Sequence, residues 1–367
     1  MNKKIRVLAI NPGSTSTKIA LYDDYDELWR ETLLHSPEEL SLFAEIQDQL
    51  EYRTKAVEKT IAEKGYEIAE VDVFTGRGGG ILSVDGGIYE VSDLLANHAS
   101  RGMSGQHPAQ LSSQIAKKFA DRFNKRAFVV NPPDVDEFVD VARITGIKGE
   151  YRESHIHALN QKEIALRFCN ERGKKYEDLN LIICHIGGGT SITAHKRGRM
   201  IDSNDIIKGS GPMSVTRAGD MPYMNVIDLA YSGMYTKKEL TDKLNKNGGL
   251  IDYYGTHDIR DVLGIVEEGD ALAKIVLDGM IYQCAKYVGS MAVAMKGQVD
   301  AIILTGGVSN NECFTKGMEE YIGWIAEVVV MPGEFELEAL AAGAIRGMRG
   351  EEEIKDYSGI PVWNGFD

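Results

Sequence analysis

Twice along this chain an apolar run breaks at a tip of small residues, and a second apolar run follows. The first reads IRVLAINPGSTSTKIALYD: residues 5–10, the break Asn11-Pro12-Gly13, the cluster Ser14, Thr15, Ser16, Thr17 and Lys18, then residues 19–22. The second reads LNLIICHIGGGTSITAHKRGRMID: residues 181–186, then Gly187, Gly188, Gly189, Thr190 and Ser191, then another run. The tips stand about half the chain apart. This predicts a duplicated plan, each half opening on a β-hairpin with a Gly/Ser/Thr-rich turn. A third strand–glycine turn comes late, in VDAIILTGGVSNNECF. Helical periodicity fills the intervals. Ser36 as N-cap, Pro37 at the first position and Gly65 as stop predict one helix over residues 37–64, with Leu40, Phe43, Ile46 and Leu50 on one face. GDALAKIVLDGMIYQCAKYVGSMAVAMKG predicts a long buried helix ending at Gly297, and GEFELEALAAGAIRGM another near the C-terminus. Strands alternating with helices mean an α/β protein. At 367 residues the chain is long enough for two domains, with a boundary expected near residue 150, before YRESHIHALNQK.

The net charge of −14 excludes a protein built to grip nucleic-acid backbones. A small anionic substrate would be held by local cations against that field. No apolar stretch reaches the roughly 18–20 residues of a membrane span, and MNKKIRVLAINPGS reads as a first strand, not a secretory signal. The four cysteines are scattered, which fits reduced thiols in a cytoplasm and excludes a zinc ribbon.

Several loops carry residues suited to chemistry. At the first tip, Gly13 admits close backbone approach, the four hydroxyls suit phosphate oxygens and Lys18 adds charge; an ordinary hairpin turn is the alternative. No second glycine precedes Lys18 and no helix follows, so this is not a Walker A loop. Arg77, flanked by glycines in FTGRGGGILS, has its fork open for a carboxylate or phosphate, or is a solvated turn. His155 and His157 lie two apart: a metal pair, a single histidine aimed at a phosphoryl group, or a core histidine. Arg217 in SVTRAGDMPY and the pair Asp258 and Arg260 in THDIRD are binding candidates or plain salt bridges. Asp134, Asp136 and Glu137 follow the strand AFVV as possible Mg²⁺ ligands or a solvated loop. The chain has no G-x-S-x-G, no H-E-x-x-H and no EF-hand loop.

NPGSTSTK resembles the N-terminal signature of acetate kinases and their relatives. CHIGGGTSITA, TRAGD, THDIRD and LTGGVSNN follow in that family's order over nearly the whole chain, and GRGGGILSVDGGIYEVSDLL, HASRGMS and HALNQKEIALRF resemble its butyrate and branched-chain fatty-acid kinase branch. The resemblance implies a two-domain, actin-like, sugar-kinase-like fold with a duplicated core and a nucleotide in the interdomain cleft. It places an N-terminal domain at 1–150, a nucleotide-binding domain at 151–339, and a C-terminal helix at about 340–367 crossing back to the first. It implies that ATP phosphorylates a short-chain carboxylate, reversibly, to the acyl phosphate with Mg²⁺, in a cytoplasmic homo-oligomer that binds neither nucleic acid nor membrane. By position, Asn11 and Ser14 match residues around the phosphates and metal, and Lys18 matches the signature lysine. Arg77 matches the arginine that meets the carboxylate, and His157 and Arg217 match the pair that steadies the phosphoryl group. His185, Gly187, Gly188 and Gly189 match the phosphate-side loop. Asp258, Arg260, Gly306, Gly307 and Asn311 fall at the adenosine end. The metal-associated glutamate is Glu336 or Glu338. One departure stands out: the family's aspartate after the AFVV strand is Asn131 here, which leaves Asp134 or Asp136 to supply the charge. Acetate or propionate kinase activity and a non-catalytic nucleotide-sensing module are the competing expectations.

Overall fold

The computed structural model describes residues 3–366, which group into two compact units. The first holds Met1–Asp136, Ala158–Asn160 and Phe335–Asp367; the second holds Glu137–His157 and Gln161–Glu334. Residues 137–150, expected in the first domain, thus group with the second unit.

The first hairpin is as its apolar runs predict. Strand β1 (Arg6–Pro12) pairs antiparallel with β2 (Ser16–Asp23), and β2 with β3 (Asp26–Leu34). On the other side of β1, β4 (Val73–Gly76) adds parallel; β5 (Ile88–Glu90) and β6 (Arg126–Val130) extend the sheet, whose order runs β5-β6-β4-β1-β2-β3. Val7, Leu8, Ala9 and Ile10 are all fully buried, because both faces of the sheet are covered and alternate side chains point to opposite faces. The C-terminal helix Glu336–Arg349 packs Leu340, Ala344 and Ile345 on the face of Val7, Ala9 and Val130, while the helix Gln110–Phe123 lies against β4 and β6.

The second unit repeats the plan. Strands β7 (Asn180–Ile186), β8 (Thr190–Lys196) and β9 (Arg199–Ser203) form an antiparallel meander, and β10 (Ala301–Thr305) and β11 (Glu327–Val330) add parallel beyond β7, in the order β11-β10-β7-β8-β9. A last short strand, β12 (Ile354–Lys355), joins β5 in the first sheet. The long helix Ala271–Ala294 buries Val276, Met280, Cys284, Val288 and Met291 against Ile182, Cys184 and Ile192. The opposite face of β8 carries Ser191, Thr193 and His195, all without exposure. Among the described residues no helix is long and apolar enough to cross a membrane.

One expected helix is broken. Ser36 caps as predicted, its hydroxyl accepting from the Glu39 N–H, but the helix stops at Leu40. There the Ser41 hydroxyl donates back to the Glu38 carbonyl, a local bond that competes with helix propagation. Helix resumes at Leu50–Glu63, and Gly65, at φ 81°, follows its end.

Two glycines separate close packing from open surface. A Cβ on Gly343 would lie 2.4 Å from Val130 Cγ1, whereas Gly279, in the long helix, has nothing within 4 Å. Val130 is β-branched and buried, so it yields little. Gly343→Ala should therefore cost about 1–3 kcal/mol through overpacking, lowering the melting temperature by several degrees. Gly279→Ala should raise it, since alanine favours a helix over glycine by about 1 kcal/mol. Calorimetry on both variants checks the opposite signs.

Candidate active site

The tip of the first hairpin is held from behind. Arg53, on the helix Leu50–Glu63, is fully buried and donates Nη1 to the Ser16 carbonyl (2.9 Å) and to Thr17 Oγ1 (2.9 Å), and Nη2 to the Ser14 carbonyl (3.3 Å). The His35 N–H takes the Thr15 carbonyl at 2.9 Å, and the Gly13 N–H takes Ser16 at 2.7 Å. All three carbonyls of the tip are thus spent inward. The N–H groups of Ser14 and Thr15 meet no acceptor among the described residues. A turn of this kind offers donors and suits an anion. Thr17 corrects one expectation: its hydroxyl faces inward, shared by Arg53 and His35 Nε2 (2.9 Å), while Ser14, Thr15 and Lys18 are exposed. No carboxylate among the described residues pairs with Arg53. Burial lowers its pKa, yet a guanidinium stays charged, so a cation sits beneath the tip.

Arg77 follows β4 in the same unit. Gly78, Gly79 and Gly80 after it have φ of +73°, +124° and +71°, a run that residues with a Cβ rarely adopt. The Gly78 N–H is pinned by Ser112 Oγ at 2.8 Å. The Arg77 side chain is 11% exposed, its Nε lies 4.0 Å from Glu336 Oε1, and Nη1 is buried with no partner. Burial lowers its pKa while Glu336 and Asp134 oppose the shift. Asn11, at the end of β1, donates Nδ2 to Glu336 Oε2 at 2.7 Å. Glu338 instead pairs with Arg30 at 2.5 Å. Residues two apart on a helix point to nearly opposite sides, so only Glu336 joins Asn11 and Arg77.

The acidic loop after β6 divides its roles. Asn131 sits at φ 39°, its N–H on the Gly87 carbonyl (2.9 Å) and its Oδ1 accepting from the Gly87 N–H (2.8 Å). It locks β6 to the turn before β5. Asp134 accepts from the Ser104 hydroxyl, and its Oδ2 is buried without a partner. Burial pushes its pKa up to about 6, against the pull of Ser104 and Arg77. Glu137, in the second unit, forms a buried pair with Lys162 at 2.9 Å and accepts from the Met200 N–H, a structural role and not a metal ligand's.

In the second unit the β7–β8 tip collects a second cluster. The Gly188 carbonyl accepts from Ser214 Oγ (2.5 Å), Thr216 Oγ1 (2.8 Å) and the Thr216 N–H (3.1 Å), and the Gly187 N–H meets the Gly189 carbonyl. As at the first tip, two adjacent N–H groups, of Gly188 and Gly189, meet no acceptor among the described residues. Arg217 lies flat on this turn: a Cβ on Gly189 would stand 2.9 Å from its Cζ. Its Nη1 donates to the Ile206 carbonyl, its Nε is buried without a partner, and burial lowers its pKa. His157 stacks on His185 with ring centroids 3.9 Å apart and planes 18° apart, and its Nδ1 is 2.8 Å from Ser191 Oγ. His155 turns elsewhere, to Asp205 at 2.9 Å, so the two histidines are not a metal pair. Gly306, at φ +88°, packs against Ile186: a Cβ there would fall 2.4 Å from its carbonyl oxygen. The Gly306-Gly307 turn therefore joins the tip. Asn311 is the N-cap of the helix Glu312–Ile322, its Oδ1 accepting from Phe314. Asp258 caps the helix Ile259–Glu267 and pairs with Arg260; among the described residues neither touches the tip.

Sequence reasoning missed Arg53, Gln161 and Ser191. Arg53 gives no pattern, since an arginine in a helix normally faces water. Ser191 does: polar residues at every second position of β8, opposite Ile192 and Ala194, mark one face of a buried strand as a polar network.

The acetokinase family profile matches residues 149–321. A probable butyrate kinase of Clostridium botulinum (strain Alaska E43 / Type E3) is 42% identical over 352 residues, 96% of this chain and 99% of its own. Butyrate kinase 2 of Clostridium acetobutylicum is 41% identical over 354 residues, with the same coverage. The crystal structure of Porphyromonas gingivalis acetate kinase superposes with a TM-score of 0.77 at 19% identity, covering 94% of this chain and 100% of its own. The two-domain actin-like fold is shared.

Asp134 gives a pH test of the Arg77 pocket. Its carboxyl titrates near 6 folded and at about 3.9 unfolded, so the folded chain holds the proton more tightly. Ionisation then costs stability as the pH rises from about 4 through about 6, fully above 6 and not at all below 4. Asp134→Asn removes that cost. Its melting temperature should exceed the wild type's at pH 8, with the gain shrinking toward pH 4.5; a difference independent of pH would contradict the buried carboxyl.

Proposed function

Because the chain belongs to the acetokinase family, we propose that it transfers the γ-phosphoryl group of ATP to a short-chain fatty acid, butyrate or isobutyrate, giving the acyl phosphate and ADP reversibly. The observation that carries this reading is Arg77. It is a buried guanidinium whose Nη1 has no hydrogen-bond partner, followed by a turn of three glycines. A carboxylate is the partner such a fork matches best.

The chemistry needs no base. A carboxylic acid with a pKa near 4–5 is already ionised at neutral pH. Its oxygen attacks the γ-phosphorus in line, the bond from that phosphorus to the β–γ bridging oxygen breaks, and ADP leaves with the electron pair. What remains is positioning and charge neutralisation. Arg77 orients the acid. His157 and Arg217 hold the oxygens of the moving phosphoryl group, Arg217 with a formal charge. His185 and the N–H groups of Gly188 and Gly189 face the phosphates, as do those of Ser14 and Thr15, with Lys18 at the edge of that tip. Gly306, Gly307, Asp258, Arg260 and Asn311 serve the nucleotide's remainder, the last through the helix it caps.

Mg²⁺ fits this donor set only as a partner of the nucleotide. Among the described residues no three His, Cys, Asp or Glu converge on a metal position. Mg²⁺ is commonly held by one or two carboxylates plus phosphate oxygens and water. Glu336, steadied by Asn11, is the carboxylate; Glu338 is engaged by Arg30. The ion would neutralise phosphate charge.

Two measurements test the reading. Arg217→Ala should bind ATP normally and lose about 10³-fold or more in turnover, and Arg77→Ala should chiefly raise the KM for the acid; near-normal turnover in Arg217→Ala would remove that residue from the reaction. A panel of acids from acetate to valerate, with ATP and hydroxylamine trapping, should favour butyrate and isobutyrate. Neighbours should be separated only modestly, as each methylene is worth about 1–3 kcal/mol. A preference for acetate would make the chain an acetate kinase. Tight ATP binding with no acid-dependent ADP formation would make it a sensor.

A further inference from the structure

The hydrogen bonds behind His157 all run one way. Gln161 sets their direction. Its amide Nε2 lies 3.1 Å from the Ser191 carbonyl, an atom that can only accept, so the nitrogen must occupy that side. The same nitrogen donates to Ser191 Oγ at 2.8 Å. Gln161 Oε1 then faces His195 Nε2 at 3.0 Å, and that ring nitrogen must carry a proton. His195 has no exposure; burial pushes its pKa far down, with Lys162 adding, so the ring is neutral and its Nδ1 accepts. The Tyr176 hydroxyl, 2.5 Å away, is the donor, and burial keeps that phenol protonated. At the other end Ser191 Oγ already accepts from Gln161. A second lone pair remains, but among the described residues the hydroxyl proton has no acceptor other than His157 Nδ1, 2.8 Å away.

We propose that Tyr176, His195, Gln161 and Ser191 are positioning residues that fix His157 as the neutral tautomer protonated on Nε2. In that state the ring offers a directed hydrogen bond and not a point charge. The proposal rests on reading His157 as a phosphoryl-binding residue. Which nitrogen of an imidazole carries the proton is set by the bond the other makes, and here that bond is the last of four aligned donors. Such alignment polarises each bond in the chain and steadies the donor at its end. The stack on His185, at 3.9 Å, agrees: two parallel imidazoles at that distance would repel if both were charged. Arg217, packed against the β7–β8 turn, supplies the charge that a neutral histidine does not. None of the four touches substrate in this scheme; each acts through His157.

Long-range ¹H–¹⁵N correlation on the full chain, labelled at histidine nitrogens, reads the tautomer directly, with His157 assigned from the signals missing in His157→Ala. At pH 7.5 the wild type should show the proton on Nε2 and a bare Nδ1. Ser191→Ala should move His157 toward a mixture of tautomers and lower kcat about 10-fold, the size typical of lost support for a functional histidine, with the KM values for ATP and acid unchanged. Ser191→Thr, which keeps the hydroxyl, should restore both. Tyr176→Phe, which removes only the first donor and preserves shape, should move the tautomer the same way by less. A wild-type proton on Nδ1, an imidazolium, or a tautomer unmoved in Ser191→Ala overturns the proposal. His157→Ala separates it from the reading beneath it. Full turnover there removes His157 from the reaction whatever its tautomer; lost turnover there, with an unmoved tautomer in Ser191→Ala, overturns the positioning role alone.

Discussion

A hairpin tip of small residues keeps one shape only if its carbonyl groups are occupied, and this chain solves that problem twice. In the first unit a buried arginine does it, with Arg53 on Ser14 and Ser16 while the His35 amide takes Thr15. In the second, two hydroxyls and an amide from Ser214 and Thr216 converge on the Gly188 carbonyl. The consequence is the same in both. With carbonyls drawn inward, each tip presents two neighbouring N–H groups with no internal acceptor. An unsatisfied donor costs about 1–3 kcal/mol when buried, but at a tip it is met by water or by an anion. The glycines at the second tip serve this end, since Gly189 gives Arg217 the room to lie against the turn. Each tip joins an interior strand of its sheet to an antiparallel neighbour.

This is why the fold was legible and part of the site was not. Central strands buried on both faces must be continuous apolar runs, so the runs at 5–10 and 181–186 mark them, and the interruption marks the tip. The repeated order of the sheets follows from repeating that signal. Arg77 announces itself through Gly78, Gly79 and Gly80, because only a special turn needs three glycines together. The helix expected over 37–64 failed where a side chain, Ser41, bonded its own backbone, an event periodicity does not report. Arg53 was invisible for a related reason: its role depends on which helix face packs under the tip. That Glu336 faces Asn11 while Glu338 faces Arg30 depends on the direction of a helix face, which the sequence does not report.

Asn131 has a structural role where the family resemblance expects an aspartate. Its backbone sits in the left-handed region, which asparagine tolerates better than most residues. Its amide exchanges hydrogen bonds with Gly87, which itself has φ of 139°. A residue so placed is a hinge pin between β5 and β6. The buried charge in this loop lies three residues on, at Asp134, within the field of Arg77. Burial raises that carboxyl's pKa to about 6, and one of its oxygens has no partner.

Three arginines, two in the first unit and one in the second, carry positive charge where burial works against it. Arg53, Arg77 and Arg217 all have their pKa lowered by desolvation. Lysine in such places would shed its proton; a guanidinium does not, and its fixed planar fork loses less freedom on binding. In a chain of net charge −14, these buried cations are a local exception to the overall field. Arg77 Nη1 and Arg217 Nε are left without internal acceptors. A donor kept desolvated and unpaired in the free protein is already oriented when its ligand arrives, so little reorganisation remains to be done as charge moves. The neutral, tautomer-fixed His157 beside Arg217's turn belongs to the same logic. In the proposal above, a neutral histidine supplies direction where an arginine supplies charge.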